Sequence, residues 1–263
     1  MCLILFAHKV HPDYPLVLAA NRDESYQRAT APAAFWQDDA RVYGGRDLEQ
    51  GGTWLGITRT GRVAALTNFR AGNAVKTSTR SRGELVGNYL RSNQPAAAYL
   101  GRTGREAMLY NGFNLLAGDV DSLHYFSNRA GAAVAVSPGI HGLSNHLLDT
   151  PWPKVERGKR ALAGMLDLAG SDLSDALFSV LADRTPAPDA ELPDSGIGLQ
   201  RERLLSPAFI VKPLYGTRCS TVLLVDNQGR VTFSERSFGE GGKPGHAITG
   251  RFLLENEPLP LTA

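Results

Sequence analysis

The sequence predicts an α+β fold, with strands first, a pair of helices in the middle and strands again at the end. Short apolar runs bounded by turn residues dominate the first half, as expected for strands buried in a sheet. A regular alternation of strand and helix is absent, and so is a Gly-x-Gly-x-x-Gly motif. These observations argue against a dinucleotide-binding fold.

The strands predicted for the first half fall into two groups. Four precede the first helix, and a hairpin-like turn at 59–61 joins the last two of them. Three more follow that helix as a meander, with turns at 118–119 and 129–131. In chain order the predicted strands are Leu3–Ala7, Leu16–Ala20, Thr53–Thr58, Val63–Thr67, Phe113–Ala117, Leu123–Ser127 and Ala132–Val136.

Capping signals and apolar spacing predict the helices. Ser81 is placed to cap a helix from Arg82 to Leu90, and Glu84 occupies the carboxylate position of a capping box. We expect helical structure to extend beyond Pro95 over Ala96–Leu100. Apolar residues at helical spacing predict two further helices, from Pro153 to about Leu168 and from Ser171 or Asp172 to about Leu181.

The last third of the chain combines a long loop with a hairpin. Residues 184–199 are rich in Pro, Asp and Gly, a length and composition that suit a lid or binding loop as well as a linker. Thr221–Val225 and Arg230–Ser234 flank the turn residues 226–229, and a polar Gly-rich stretch follows. We expect one domain over residues 1–263.

Composition limits the classes of partner. With 43% hydrophobic residues, 21% charged residues and a net charge of +2 spread along the chain, the sequence shows no electrostatic footprint for nucleic acid or anionic membrane. No segment approaches the roughly 20 apolar residues of a membrane span, and the apolar run 2–7 is too short for a signal peptide. We therefore expect a cytoplasmic protein with Cys2 and Cys219 as free thiols.

Cys2 is the first candidate for chemistry. Removal of Met1 would expose a thiol and an α-amino group on the same residue, so that the amine can act as base for its own nucleophile. Their unperturbed pKa values, about 8.5 and about 7.7 to 8.0, are close enough for proton exchange near neutrality. The alternative is an ordinary buried cysteine at the start of a strand.

Polar residues at strand ends supply further candidates. The segment 21–24 ends an apolar strand, where its side chains either converge on a site or form a solvated strand exit. Asn68 and Asn145 are placed to donate to an oxyanion or simply to form turns, and Arg218 either reaches the same sheet end or is solvated.

Metal binding has little support in the sequence. His8 and His11 lack the spacing of any established ligand motif, so neither a metal nor another cofactor is expected. Trp36, Trp54 and Trp152 either line a pocket or belong to the core.

A set of motifs in a shared order resembles the NRDE family, the transport and Golgi organisation protein 2 group, over nearly the whole chain. These motifs are Met1-Cys2, Asn21-Arg22-Asp23-Glu24, Gly52-Thr53-Trp54-Leu55-Gly56, Leu66-Thr67-Asn68-Phe69-Arg70, Ser81-Arg82-Gly83, Tyr110-Asn111-Gly112-Phe113-Asn114, Leu143-Ser144-Asn145, Asp149-Thr150-Pro151-Trp152-Pro153-Lys154, Leu192-Pro193-Asp194 and Gly216-Thr217-Arg218-Cys219-Ser220-Thr221.

The resemblance implies a four-layer αββα sandwich of mainly antiparallel sheets, similar to N-terminal-nucleophile (Ntn) hydrolases of the choloylglycine hydrolase and penicillin V acylase type. By that similarity Cys2 corresponds to the nucleophile and Arg22 to the arginine beside it. Asp23 corresponds to the carboxylate that holds the amine, Asn68 and Asn145 to the oxyanion amides, and Arg218 to a distal arginine. The predicted substrate-binding residues are Asn21, Glu24, Trp54, Arg70 and His146.

One departure from the acylase pattern concerns Arg22 and Asp23, which are adjacent and would point to opposite faces of a regular strand. Either a bulge reconciles them, or Glu24, on the face of Arg22, takes the role of Asp23.

The resemblance implies an amidase or acyl hydrolase for a small molecule. The alternative is a non-catalytic pocket protein that binds a lipid-like ligand, acyl-CoA or haem. A fold does not decide between them, and the sequence does not indicate an oligomeric state.

Overall fold

The computed structural model describes residues 2–70, 72 and 80–255. Within these residues thirteen strands form two antiparallel sheets, one of six strands and one of seven. The sheets pack face to face, and a pair of helices covers the outer face of each. The expected α+β fold with αββα layering is therefore confirmed.

The six-stranded sheet carries both ends of the described chain. Its members are β1 (Cys2–His8), β2 (Leu16–Ser25), β10 (Gly139–Leu143), β11 (Tyr215–Val225), β12 (Arg230–Phe238) and β13 (Pro244–Leu253). The strand order is β10-β1-β2-β11-β12-β13, with every neighbouring pair antiparallel. β1 and β2 are thus adjacent interior strands, and the first candidate site residues are found on them.

The seven-stranded sheet is a meander in chain order. Its members are β3 (Thr30–Phe35), β4 (Val42–Asp47), β5 (Leu55–Thr58), β6 (Val63–Asn68), β7 (Phe113–Gly118), β8 (Leu123–Ser127) and β9 (Val134–Ala135). Sequential antiparallel pairing needs only short connections, and here the one long excursion, between β6 and β7, contains the first two helices.

The helices complete the outer layers. They are α1 (Gly83–Arg91), α2 (Ala96–Arg105), α3 (Pro153–Ala163), α4 (Gly170–Leu181) and α5 (Leu199–Leu205). α1 and α2 pack on the seven-stranded sheet, whereas α3 and α4 pack on the six-stranded sheet. None of the helices in the described ranges has the length and apolar character needed to span a bilayer.

The period-2 alternation of β1 explains the layering. Ile4 and Phe6 enter the core between the two sheets, while Leu3 and Leu5 face α3 and α4. A strand buried on both faces reads as a continuous apolar run, which is why the sequence pattern predicted it.

Each predicted strand has a counterpart in the structure, although β5 begins at Leu55 and β9 is only Val134–Ala135. Four strands, β3, β4, β10 and β13, were not predicted, and several helix limits are corrected. α3 ends at Ala163 rather than near Leu168, and α4 begins at Gly170 rather than at a Ser171 or Asp172 cap. The predicted Ser81 cap is wrong, since α1 has no side-chain cap; Glu84 instead accepts a hydrogen bond from Tyr110 Oη (2.5 Å). The segment 184–199 contains a single 3₁₀ turn at 189–191 and is otherwise irregular.

Candidate active site

Cys2 and Arg22 form the floor of the candidate site and belong to a row of three residues across the six-stranded sheet. Cys2 is the Cα partner of Arg22, and Arg22 is the partner of Cys219 on its other side. Directly opposed residues point to the same face, and this face is the one that carries Ile4 and Ala20 into the space between the sheets. Both cysteines are free thiols.

A cleft of about 260 Å³ opens above this floor. Charged and polar groups dominate its lining, which includes four arginines and four carboxylates among the described residues. The lining residues are Cys2, Arg22, Asp23, Glu24, Arg28, Asp47, Glu49, Gln50, Thr53, Trp54, Leu66, Asn68, Arg80, Ser81, Arg82, Gly83 and Asn111.

Cys2 is half-buried, and its thiol lies in electrostatically mixed surroundings. Burial raises its pKa, and the nearby Asp23 carboxylate acts in the same direction. A backbone hydrogen bond from Asp23 and the Arg22 guanidinium lower the pKa by smaller amounts. The balance keeps the thiol neutral in the resting site, so a base is required to generate the thiolate.

Arg22 is held against the opposite wall of the cleft. Its guanidinium carbon lies 4.2 Å from the centroid of the Trp54 ring, a cation–π arrangement. The side chain is only 6% exposed, and its Nη1 is buried without a hydrogen-bond partner. Trp54 enters the cleft just before β5, where its carbonyl oxygen accepts a hydrogen bond from Leu66 N (2.9 Å).

Asp23 points to the other face of β2. Thr217 Oγ1 donates to its Oδ1 (2.7 Å), and Tyr215 Oη donates to its carbonyl oxygen (3.0 Å). Burial raises the pKa of the carboxyl, and the ammonium of Lys154 opposes that effect. Lys154 is itself buried, which lowers its pKa to about 8, and its Nζ donates to Leu205 O (3.1 Å).

The geometry of β2 answers the question raised by adjacent Arg22 and Asp23. β2 pairs with β1 in unbroken register through Cys2–Arg22, so the two side chains do lie on opposite faces. A register shift occurs in the partner strand β11, between Thr217 and Cys219. Glu24 shares the face of Arg22 and lines the cleft, where its Oε1 accepts a hydrogen bond from Ser25 N (2.9 Å).

The two candidate oxyanion amides occupy different positions. Asn68 ends β6 and lines the cleft, and its side-chain amide has no hydrogen bond to the described part of the chain. Asn145 is fully buried, and its Nδ2 donates to the carbonyl oxygen of Asn68 (2.8 Å). Ser144 Oγ donates to Cys2 O (3.0 Å), so the 144–145 segment ties the nucleophile strand to the end of β6.

Arg218 and Asn21 are not among the residues that line the cleft. Arg218 Nη1 donates to the carbonyl oxygens of Ser25, Tyr26 and Arg28 (2.7, 3.0 and 3.0 Å), which fixes the turn after β2. Asn21 bridges from β2 to the end of α4 and to the chain before β11. Its Nδ2 donates to two carbonyl oxygens and its Oδ1 accepts from Ser220 Oγ (2.6 Å).

Two further predicted substrate-binding residues also lie behind the cleft. Arg70 forms a buried ion pair with Glu202 and stacks over the ring of Trp152 at 4.7 Å. His146 is hydrogen-bonded through Nδ1 to Thr150 Oγ1 (2.9 Å), and burial lowers its pKa. Of the five predicted substrate-binding residues, only Glu24 and Trp54 line the cleft.

The remaining residues that the sequence singled out, two histidines and three tryptophans, are buried outside the cleft with the exception of Trp54. His8 is buried, and His11 is hydrogen-bonded to Leu168 O (2.9 Å) and to Asp13 N (3.1 Å). Trp36 and Trp152 belong to the helix-facing cores, whereas Trp54 lines the cleft. Across residues 2–70, 72 and 80–255, no group of three or more His, Cys, Asp or Glu is arranged to hold a metal ion.

Several residues that line the cleft were not predicted to belong to the site. Ser81, Arg82 and Gly83 enter it at the start of α1, and Asn111 enters it just before β7. The signal was present, because both Ser81-Arg82-Gly83 and the Tyr110–Asn114 block carry the family resemblance. Gly52 permits this approach, since a Cβ there would lie 2.4 Å from the carbonyl carbon of Gly83.

A family model for Transport and Golgi organisation 2 matches residues 1–240. The chain belongs to the Transport and Golgi organisation 2 family. The Transport and Golgi organization protein 2 homolog of Bos taurus is 41% identical over 97% of this chain and all of its own. The human homolog is 39% identical over 90% of this chain and 93% of its own, and the Drosophila melanogaster protein is 31% identical over 90% and 92%. The predicted family is confirmed.

Two solved structures resemble this family member at low sequence identity. One is a variant of the conjugated bile acid hydrolase from Clostridium perfringens, at 9% identity and a TM-score of 0.41 over the whole of both chains. The other is a Caenorhabditis elegans ortholog of N-acylethanolamine-hydrolyzing acid amidase, at 11% identity and a TM-score of 0.46, which covers 85% of this chain and 92% of that one.

Proposed function

We propose that the protein is an N-terminal-cysteine hydrolase that cleaves an amide or acyl bond of a small molecule. The observation that carries the proposal is the position of Cys2, at the start of the interior strand β1 and on the floor of a polar cleft, with the Arg22 guanidinium on the same face. A nucleophile, a cation beside it and a side-chain amide in one cleft are the parts that acyl transfer needs.

The proposed reaction begins with removal of Met1, a residue outside the described ranges. The freed α-amine of Cys2 takes the proton from Sγ, and the thiolate attacks the carbonyl carbon of the substrate. The Asn68 amide donates to the oxyanion that forms. The carbon–nitrogen bond then breaks, and the proton passes to the leaving nitrogen. Water resolves the thioester, releasing a carboxylic acid and returning the proton to Sγ.

The carboxylate that we assign to hold the α-amine is Asp23. It is buried on the strand next to Cys2, is fixed by Thr217, and lies close enough to influence the thiol. Glu24 is the competing candidate, because it faces the cleft on the side of Arg22. Asp23→Asn should remove the activity with Glu24→Gln as its matched comparison, and the reverse pattern would assign the role to Glu24.

The test of the nucleophile is the intact mass of the native protein together with alkylation by iodoacetamide as a function of pH. We expect a mass that lacks Met1 and labelling of Cys2 well below the usual thiol pKa, because the freed α-amine on the same residue takes the proton from Sγ and its ammonium form stabilises the thiolate against the effect of burial. Cys219 is 4% exposed and burial raises its pKa well above the ordinary value, so Cys219→Ala should leave the labelling unchanged. A screen of small amides and thioesters then identifies the substrate, with Cys2→Ala as the inactive control.

The second candidate is a pocket protein that binds its ligand without chemistry. The observation that favours it is the raised pKa of the Cys2 thiol, which leaves the thiol neutral. Retained Met1 together with an inert thiol would contradict the hydrolase and leave this account. The charged lining of the cleft suits a polar group such as the phosphates of acyl-CoA better than a lipid chain or a haem ring.

A further inference from the structure

Two of the four arginines that line the cleft form ion pairs with carboxylates, and the other two do not. Arg28 pairs with Asp47 (2.6 Å), and Arg80 pairs with Glu84 (2.6 Å) and Glu106 (3.1 Å). Arg22 and Arg82 have no carboxylate within 4 Å in the described part of the chain. Two guanidinium groups in the cleft, those of Arg22 and Arg82, therefore have no carboxylate of the described residues close to them.

The burial of Arg22 makes this arrangement costly. A charge removed from water requires an opposite charge or a full set of hydrogen bonds, and it is destabilising without them. The contact with the Trp54 face offsets only part of that cost. The nearest carboxylate along the same strand face, Glu24, binds Ser25 N instead. Such a group is expected where a ligand supplies the missing anion.

Arg82 approaches the same space from the opposite wall. It is the residue before α1, and its Nη1 donates to Gly112 O (3.1 Å). Arg82, Cys2 and Glu24 all line the cleft, and burial lowers the pKa of Arg82 while Cys2 and Glu24 oppose that shift. Gly83, the first residue of α1, lines the cleft as well, and the dipole of a helix attracts anions to its N-terminus.

We propose that Arg22, Arg82 and the first turn of α1 form a subsite for an oxyanionic group, a carboxylate or phosphoryl, carried by the substrate. This proposal extends the proposed function. It rests on that function in one respect, namely that the ligand of the subsite is the substrate. Arg22 and Cys2 are direct partners on adjacent strands, with Cα atoms about 5 Å apart. The anionic group must therefore lie within a few bonds of the carbonyl that Cys2 attacks. The substrate class is a small anionic acyl compound.

The experiment is a calorimetric titration of the intact chain at low ionic strength with inorganic phosphate and, separately, with propionate. Charge-assisted hydrogen bonds from a guanidinium are strong enough that Arg22→Gln and Arg82→Gln should each weaken binding about tenfold or more. Arg80→Gln is the matched control, because this arginine lines the same cleft but already has carboxylate partners; we expect a change of less than about twofold. Binding of either probe with this pattern supports the subsite, and the tighter probe identifies the group.

Two outcomes overturn the proposal: neither probe binds at tens of millimolar, or Arg80→Gln weakens binding as much as Arg82→Gln. If Arg22→Gln fails to fold, Arg82→Gln and Arg82→Lys decide the matter, since the lysine variant retains the charge but loses the planar fork and should bind with intermediate affinity.

Failure of the proposed function gives a different pattern. Arginine-dependent binding of phosphate or propionate in a protein that hydrolyses no amide leaves the subsite intact and removes the hydrolase. Hydrolysis of neutral amides at a rate insensitive to Arg82→Gln retains the hydrolase and removes the subsite.

Discussion

Lys154 and Asp23 form a buried acid–base pair behind the nucleophile. Lys154 is 3% exposed and Asp23 is 2% exposed, and each shifts the pKa of the other toward its charged form. Burial nevertheless dominates at the lysine and lowers its pKa from 10.5 to about 8. This cluster lies on the helix-facing side of β2, so its charge supports the site from behind the sheet.

The depressed pKa of Lys154 predicts a pH dependence of stability. Between about pH 8 and 10.5 the unfolded chain binds a proton at this lysine that the folded chain has released, so stability rises with pH in that window. Lys154→Met removes the effect. Urea unfolding at pH 7 and pH 10 should show wild type gaining about 2 kcal/mol relative to this variant.

Lys159→Met is the control for that measurement, on the same helix. Burial is the largest single influence on Lys159 and lowers its pKa, but the combined effects of Asp149 (3.1 Å) and Glu156 (3.5 Å) outweigh it and raise the pKa. Both its folded and unfolded forms stay protonated up to about pH 10, so the wild type should gain nothing relative to this variant. Parallel pH curves for wild type and Lys154→Met would contradict the assignment.

At the scale of elements, the site depends on how α1 meets the start of β5. Thr53 N donates to Gly83 O (3.2 Å), which holds the first turn of α1 beside Trp54. The contact is possible because residue 52 has no side chain: a Cβ there would lie 2.4 Å from Gly83 C and 2.5 Å from its oxygen. Both contacts are to backbone, so they cannot be relieved by a rotamer change.

Gly52→Ala should therefore displace the N-terminus of α1. We expect a loss of about 1 to 3 kcal/mol in the free energy of unfolding, as for other overpacked sites, and weaker binding of phosphate in the cleft. Gly101→Ala is the control, since nothing lies within 4 Å of its Cβ and it occupies the exposed interior of α2. It should gain about 0.5 to 1 kcal/mol. Unchanged unfolding and binding for Gly52→Ala would contradict the close contact.

Strands with a continuous apolar run were predictable from the sequence, and strands that lack such a run were mostly not. β1, β2, β6, β7 and β8 are mainly buried apolar runs, and each was predicted. β13 is mostly exposed at the sheet edge, and its polar Gly-rich sequence has no apolar pattern to reveal it. β4 contains Gly44 and Gly45, which allow neighbouring atoms to approach closely but weaken the strand signal.

The same reasoning applies to the site. Cys2, Arg22 and Asn68 could be predicted because they stand at the ends of apolar strands that meet at one edge of the sandwich. Arg82 belongs to a motif that carries the family resemblance, but its place in the site could not be predicted, because it reaches the cleft only after α1 packs on the other sheet. Asn145 and Arg218 occur in recognisable motifs, but only the tertiary structure shows that their hydrogen bonds go to the backbone of neighbouring segments.

At the scale of the whole molecule, the cleft opens between two sheets whose separation is set by the core between them. Glu235 of β12 is buried there, and its Oε1 accepts a hydrogen bond from Ala33 N of β3 (2.9 Å). Nearby, Gly250 of β13 faces the ring of Tyr43 in β4. A Cβ atom on residue 250 would lie only 2.3 Å from Cζ and Oη of this ring, which is too close. The sheets therefore approach most closely where one partner has no side chain.

Gly250→Ala should force the two sheets apart at this point and cost about 1 to 3 kcal/mol, because Tyr43 is packed against Phe35, Phe233 and Phe252 and has no room to move. Tyr43→Leu alone should also destabilise, by leaving a cavity. Together the two changes should cost at least about 1 kcal/mol less than the sum of the single costs, because the smaller side chain accepts the new methyl group.

Urea unfolding of the wild type, the two single variants and the double variant measures this coupling. As a control, the costs of Gly101→Ala and Tyr43→Leu should be additive within about 0.5 kcal/mol. Additivity of Gly250→Ala with Tyr43→Leu would show that the two sheets are not in contact at this pair.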